Sequence, residues 1–433
     1  MHKKVCIITS GRINKSDATN NGLLLRSLFN TWPKEKISQI YNSGSNNDEG
    51  FWGTYYKLGQ NDRRFGWLYS ILYKENKALN SRNHSNTSLQ KTNIKGGIIN
   101  VFKRFIIETG IYELIFYPRL SRELKKWLDE VKPEIILAQG YSITFTKLPL
   151  LIKKYTGAKL AFFTTDDWPR YLYSGNQGEI KILSFLPKLF LNKLFNQFVQ
   201  EVDIPIAFGF PMQKEYTQRY GKDFHSIIHA DNPLRFQNAI PKRLSNNETF
   251  SIVTIGTFNK YRWPLIGDLN KSCQSLKSKG INVQIQIISD SIESEGYSEL
   301  KKMEYVRIHD DPGSEKLPAL LKGADLLVLI ETFDKSRAEA IKFSISTKAH
   351  LYMFSRVPIL LYSHPITGIS NYAKEYEWAY IINYRNENNL TKAIETLLTD
   401  KNLRHNLVEK AYNVAMENHN IATIEKKLQN ILH

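Results

Sequence analysis

Ser346, Thr347 and Lys348, in the stretch FSISTKAHLYMFSRVPILL (Phe343–Leu361), form the grouping in this chain best suited to holding an anion. The pattern predicts N-cap residues at Ser346 and Thr347, a short apolar-faced helix over His350–Phe354, and a β-branched strand over Val357–Tyr362 that includes Pro358. A helix N-terminus has unpaired N–H groups and the positive end of the helix dipole, and Lys348 adds a full charge; together they suit a diphosphate. The same residues also fit an ordinary helix-to-strand connection with a lysine in water, and this segment alone leaves both readings open. Gly11, Asn21 and Gly22 follow the first strand and suggest a flexible loop able to approach a phosphate or an acceptor, although no G-x-G-x-x-G spacing is present.

Alternating strands and helices position these groups. In the first half, strands are expected at Val5–Ser10, Ser38–Tyr41, Ile135–Gln139, Leu160–Thr164 and Ile204–Phe208. Helices are expected near Gly22 and over Leu120–Val131 and Lys147–Tyr155. Residues 80–97, with almost no large apolar side chains, read as a mobile surface insertion. A polar linker, Pro241–Glu248, precedes a second alternating half. Its strands are expected at Phe250–Ile255, Val283–Ile288, Val306–His309, Leu326–Ile330, Val357–Tyr362 and Ala379–Ile382. Its helices fall over Trp263–Lys279, Lys316–Gly323, His350–Phe354, Leu390–Leu398 and Leu403–Asn418. A last helix, Ile421–Leu432, is placed to pack back on the first half. The alternation predicts α/β domains with parallel sheets, whose ligands bind beyond the C-terminal ends of the strands.

The length of 433 residues suits two domains of roughly 200 residues each. No run of about eighteen apolar residues occurs, and VCIITS near the start reads as a strand and not a signal peptide, so a cytoplasmic protein is expected. Cys6 and Cys273 have no metal-ligand spacing and read as core residues. A net charge of +17 favours polyanions, whether nucleic acid, an anionic membrane surface or phosphorylated small molecules. Nucleic acid is the least supported, because no zinc-finger spacing, RNP-like strand or arginine-rich tail is present. Ile98–Ile107 and Leu183–Val199 mix Phe, Leu and Ile with basic residues; they fit either a lipid interface or a core-facing helix.

Three blocks carry a family likeness: IVTIGTFNKYRWP, VRIHDDPGSEKLPALLKGADLLVLI and STKAHLYMFSRVPIL. With them the chain resembles the GT-B glycosyltransferases over nearly its whole length. Its second half is most similar to the family-four group of retaining, nucleotide-sugar-dependent enzymes. TWPKEKISQIY and FFTTDDWPRYLY look like phrases of capsule or O-antigen transferases. The resemblance implies two Rossmann-like domains facing across a cleft: an acceptor domain over residues 1–240, a nucleotide-sugar domain over 249–420, and a C-terminal helix over 421–433 returning to the first.

On the same resemblance, Gly256, Lys260 and Arg262 lie near the donor diphosphate, with Ser346, Thr347 and Lys348 opposite. Ile308, His309 and Asp310 border the nucleotide base. Asp166 and Asp167 follow a strand where such enzymes often place an acid/base group or an acceptor contact; either could instead cap the turn DDWP. The family's two glutamates, eight residues apart, are replaced by Phe343 and Leu351, neither of which hydrogen-bonds through its side chain. Glu331, at a strand's C-terminal end, is a candidate replacement. The expected activity is sugar transfer from a UDP- or GDP-linked donor, a co-substrate and not a cofactor, to a lipid-linked or glycan acceptor at an anionic membrane surface. No metal and no nucleic acid is expected. The alternatives are a non-catalytic GT-B-like subunit and a nucleotide-sugar epimerase of the same fold.

Overall fold

The computed structural model describes residues 2–15, 19–44, 49–73, 110–172 and 185–433. The insertion read at 80–97 and the stretch Ile98–Ile107 lie outside the described residues.

The first sheet has seven strands: β1 (Val5–Gly11), β2 (Ile37–Ser43), β3 (Thr54–Lys57), β4 (Ile135–Gln139), β5 (Lys159–Thr164), β6 (Ile204–Phe208) and β7 (His225–Ile227). Their order is β3-β2-β1-β4-β5-β6-β7, and the pairings from β3 through β6 are parallel. The inner strands are buried along most of their length, as in parallel sheets covered by helices on both faces. Phe162 on β5 packs edge-on against Phe195 and Phe198 of the helix Phe185–Glu201, at 5.6 and 5.0 Å between ring centres. Local chemistry sets the helix ends. Ser142 accepts from Phe145 N–H to start Ile143–Thr156, and Gly157, at φ +73°, stops it.

The second sheet has six parallel strands: β8 (Phe250–Ile255), β9 (Val283–Ile288), β10 (Val306–His309), β11 (Leu326–Ile330), β12 (Ile359–Tyr362) and β13 (Tyr380–Ile382), in the order β10-β9-β8-β11-β12-β13. Ile252, Ile285, Leu326 and Val328 join Leu269 and Cys273 of the helix Trp263–Lys277 in one core; burying each Leu or Ile contributes roughly 1.5–3 kcal/mol. Cys6 is likewise buried in β1.

The chain divides into two units. One comprises residues up to Ala207, Tyr216–His225 and Gln429–His433; the other comprises Phe208–Glu215 and Ser226–Leu428. Residues 226–240 were expected with the first half, but they group with the second. The short helix Pro233–Gln237 is tied there by Lys322, whose ammonium donates to the Phe236 and Ala239 carbonyls at 2.8 and 2.6 Å. The final helix runs Ile421–Leu432, as expected from its apolar spacing. Its last turn counts with the first unit, where Gln429 Nε2 is 3.4 Å from Thr31 Oγ1.

Candidate functional site

In each sheet the strand order reverses once between neighbours: between β1 and β4 in the first, and between β8 and β11 in the second. Open α/β sheets bind ligands beyond the C-terminal ends of the two strands that flank such a switch point.

At the second switch, four residues singled out in the sequence come together. Gly256 follows β8, and Arg262 ends the loop after it, immediately before the helix Trp263–Lys277. Glu331 follows β11 and is buried. Arg262 donates to one Glu331 oxygen twice, from Nη2 at 2.5 Å and from Nε at 3.2 Å. Its Nη1 donates to the Thr257 carbonyl at 3.3 Å. Lys348 completes the group: a Cβ placed on Gly256 would lie 2.2 Å from both Cε and Nζ of Lys348. Gly256 also has φ +113°, where other residues are strained, so the backbone favours glycine there, and a side chain would push the Lys348 ammonium aside.

The electrostatics follow from that packing. Burial of its ammonium, together with the neighbouring Arg262 cation, lowers the Lys348 pKa to about 8, and Glu331 opposes the fall. Two cations face one carboxylate, which leaves the cluster net positive. Such a cluster at the mouth of a parallel sheet can take a diphosphate and oppose the charge that develops on a leaving oxygen.

Other expected residues stand apart from this cluster. Lys260 is exposed, with Nζ 5.2 Å from its neighbour's ring at Tyr261. Ser346 and Thr347 were expected to cap a helix, but the N-cap is Lys348 and no side chain caps it. Ser346 instead uses its carbonyl, accepting from Ala349 N–H at 3.1 Å to close a turn before the helix begins. That helix, Ala349–Phe354, has only six residues. Ile308 and His309 end the edge strand β10, with Asp310 just beyond. His309 Nε2 lies 2.6 Å from Gln286 Oε1, and burial lowers the imidazole's pKa.

At the first switch, Asn21 and Gly22 were expected in a loop; they occupy the first turn of the helix Asn20–Leu28, because Thr19 Oγ1 accepts from Gly22 N–H at 3.1 Å. Gly11 ends β1, and its carbonyl accepts from Thr9 Oγ1 and Gln39 Nε2 at 2.7 and 2.9 Å. Gln139, buried at the end of β4, donates weakly to Asn21 Oδ1 at 3.5 Å, and its own Oε1 has no partner. Sequence reading passed over Gln139 and Gln39; a glutamine within an otherwise apolar strand, IILAQ, was the available signal. The two acids after β5 separate clearly. Asp167 is buried, receives two N–H bonds from Arg219 at 2.7 and 3.0 Å, and accepts from Tyr216 Oη at 2.9 Å. Asp166 is exposed.

No protein-family model matches the chain, and neither does any curated protein sequence. Solved structures do. HepE of Anabaena, determined in complex with UDP and glucose, superposes with a TM-score of 0.59 at 11% identity, covering 100% of this chain and 99% of that one. WaaG, a glycosyltransferase involved in lipopolysaccharide biosynthesis, gives 0.55 at 11% identity, with 99% of each chain covered. A glycosyltransferase from Rickettsia africae gives 0.58 at 12% identity, covering 100% and 98%. The fold is therefore the pair of Rossmann-like domains of the GT-B glycosyltransferases.

Proposed function

We propose that this chain is a retaining glycosyltransferase that moves a sugar from a UDP- or GDP-linked donor to a lipid-linked or glycan acceptor in bacterial surface polysaccharide synthesis, working as a peripheral protein at the inner face of the cell membrane. The observation that carries this reading is the Arg262, Lys348 and Glu331 cluster beside Gly256, at the switch point of the second sheet. HepE, of the same fold, was crystallised with UDP-glucose, which supports a nucleotide sugar as the ligand class.

In this reaction the bond from the anomeric carbon to the diphosphate oxygen breaks. A bond to an acceptor hydroxyl oxygen forms, and the hydroxyl proton ends on the departing phosphate. Arg262 and Lys348 stabilise the charge growing on that oxygen, with Lys260 and the backbone near Ser346 and Thr347 at the diphosphate's margin. Glu331 supplies the carboxylate that Phe343 cannot, and Ile308–Asp310 border the base. In the first unit, Asp166 and the amides of Gln139 and Asn21 are the groups offered to an acceptor hydroxyl, and Asp167, bonded to Arg219 and Tyr216, holds the turn that carries Asp166.

Thermal shift with UDP, GDP and their sugar conjugates tests the donor site, because a ligand that prefers the folded state raises Tm by mass action. A shift for one nucleotide family, lost in Lys348→Ala, is expected; no shift with any of them removes the reading. Phe343 and Leu351, standing where the family has glutamates, favour a second reading, a non-catalytic subunit that binds the nucleotide without turnover. Hydrolysis of any nucleotide sugar, abolished by Lys348→Ala, separates the two.

A further inference from the structure

The helix Phe185–Glu201 has two faces. Leu191, Leu194, Phe195 and Phe198 point into the core of the first unit. On the opposite face Leu186, Leu189 and Phe190 are 58%, 49% and 38% exposed, followed along the same stripe by Lys193, Asn196 and Gln200. Large apolar side chains grouped at one end of a surface helix are unusual, whereas single exposed ones are ordinary.

The patch continues onto neighbouring segments. Phe190 meets the Tyr117 ring edge-on at 5.9 Å, and the Tyr117 carbonyl accepts from Arg64 N–H at 2.8 Å, one residue before Phe65. Phe65 is 46% exposed, and Arg64 lies over its ring at 5.0 Å. Basic residues begin beside this apolar end and continue along the helix. Lys147 Nζ lies 5.9 Å from the Tyr117 ring centre. Lys147 and Lys154 line a groove of about 1070 Å³ between the helices Ile143–Thr156 and Phe185–Glu201. Neither of them, nor Lys193, pairs with a carboxylate among the described residues. Glu201 is the acid at the far end of the groove, and Asp203 is occupied by Lys153 at 2.9 Å.

We propose that this face is a docking surface for an anionic lipid bilayer. Leu186, Leu189 and Phe190 enter the interface while Lys147, Lys154 and Lys193 meet lipid phosphates. From Leu186 to Phe190 the helix rises about 6 Å, so the three side chains form one compact apolar spot at its N-terminal end. Lys193 follows about 4–5 Å further along the helix, where a lysine stem can extend along apolar surface and leave its ammonium at the headgroups. No helix among the described residues is long and apolar enough to cross a membrane, and this surface needs none. The inference rests on the membrane part of the proposed function and not on its transfer chemistry.

Co-sedimentation of the full chain with phosphatidylcholine vesicles, with and without phosphatidylglycerol, tests it. Binding to the anionic vesicles alone is expected. It should weaken by more than tenfold in Leu189→Asp/Phe190→Ser, and by about 25-fold or more in Lys147→Glu/Lys154→Glu, since each basic residue near a charged surface contributes about fivefold. Both variants should keep the melting temperature and nucleotide shift of the wild type, which separates lost docking from lost folding. Absence of binding, equal binding by folded variants, or a wild-type dimer that dissociates in Leu189→Asp/Phe190→Ser each overturns the proposal; the last would assign the face to a second copy of the chain. Vesicle binding without any nucleotide shift keeps the surface and removes the transferase reading.

Discussion

Arg262 places two of its N–H groups on a single oxygen of Glu331, at 2.5 and 3.2 Å, so the other carboxylate oxygen takes no part in the pair. The acid thus holds the guanidinium in place and keeps one acceptor for another partner. Glu331→Gln removes the negative charge beside the diphosphate position while preserving shape. Nucleotide affinity should rise, by up to about tenfold at the reduced dielectric of a partly enclosed site, and sugar transfer should fall by two orders of magnitude or more. Calorimetric titration alongside a turnover assay checks this; weaker nucleotide binding would show that Glu331 helps to hold the diphosphate by positioning Arg262.

Lys348 makes binding pH-dependent, and the sign can be stated. Its pKa in the folded protein, about 8, lies below the ordinary lysine value, so the unliganded protein loses this cation as pH rises through 8. A diphosphate prefers the protonated form. Affinity for a nucleotide sugar should therefore be constant below pH 8 and fall above it by at most about tenfold per pH unit, the limit for one linked proton. Stability without ligand moves the other way, rising from pH 8 towards the ordinary lysine value, because folding favours the neutral amine. Lys348→Met should flatten both profiles.

Gly256→Ala tests the close approach. The new methyl would collide with the Lys348 side chain at 2.2 Å and sit at a φ of +113°. A backbone cost on the order of 1–3 kcal/mol is expected, with displacement of the ammonium. Nucleotide affinity should fall about tenfold or more; a variant that melts lower yet binds nucleotide at wild-type strength would show that Lys348 acts elsewhere.

Asp166 and Asp167 should behave differently despite adjacency. Asp167→Asn removes the buried charge that Arg219 and Tyr216 both bond and should cost about 2–4 kcal/mol, read as a lower Tm. Asp166→Asn, on the surface, should change stability by no more than about 0.5 kcal/mol, so any loss of transfer activity there reports on chemistry. Equal melting temperatures for the two variants would contradict the burial difference.

The parallel strands were legible because most carry a run of apolar, β-branched or aromatic residues, and the two that were missed explain the limit. β3, TYYK, and β7, HSI, are short outermost strands with no continuous apolar run, so local composition gives no strand signal. The helices that were expected start within a few residues of their expected positions, whereas Gly209–Tyr220, Ser294–Lys301 and Gly368–Tyr376 were not expected. The exception was at Ser346 and Thr347, where N-cap preference lost to a turn closed by the Ser346 carbonyl. Gly256, Arg262 and Glu331 could be picked out by position after a strand end, and Lys348 by position at a helix start. Their meeting could not, since Arg262 and Glu331 are 69 residues apart and touch because β8 and β11 are neighbours across the strand-order reversal. Spacing carries no record of that adjacency. The burial of Asp167 was equally hidden, because its partners come from the helix Gly209–Tyr220, beyond β6.

Neither unit is a continuous stretch of chain: Phe208–Glu215 belongs to the second unit between two pieces of the first, and the first is completed by Gln429–His433. During synthesis the early residues therefore wait for the last ones before their unit is whole, although the N-terminal sheet has every strand by Ile227. A ribosome-bound chain stalled shortly before Gln429 would expose a nearly finished first unit lacking its final turn. Cutting the gene at the polar linker would likewise yield a fragment that carries a tail from the other unit and lacks its own end, so circular permutants that rejoin these pieces are better starting points for dissecting the protein than simple truncations.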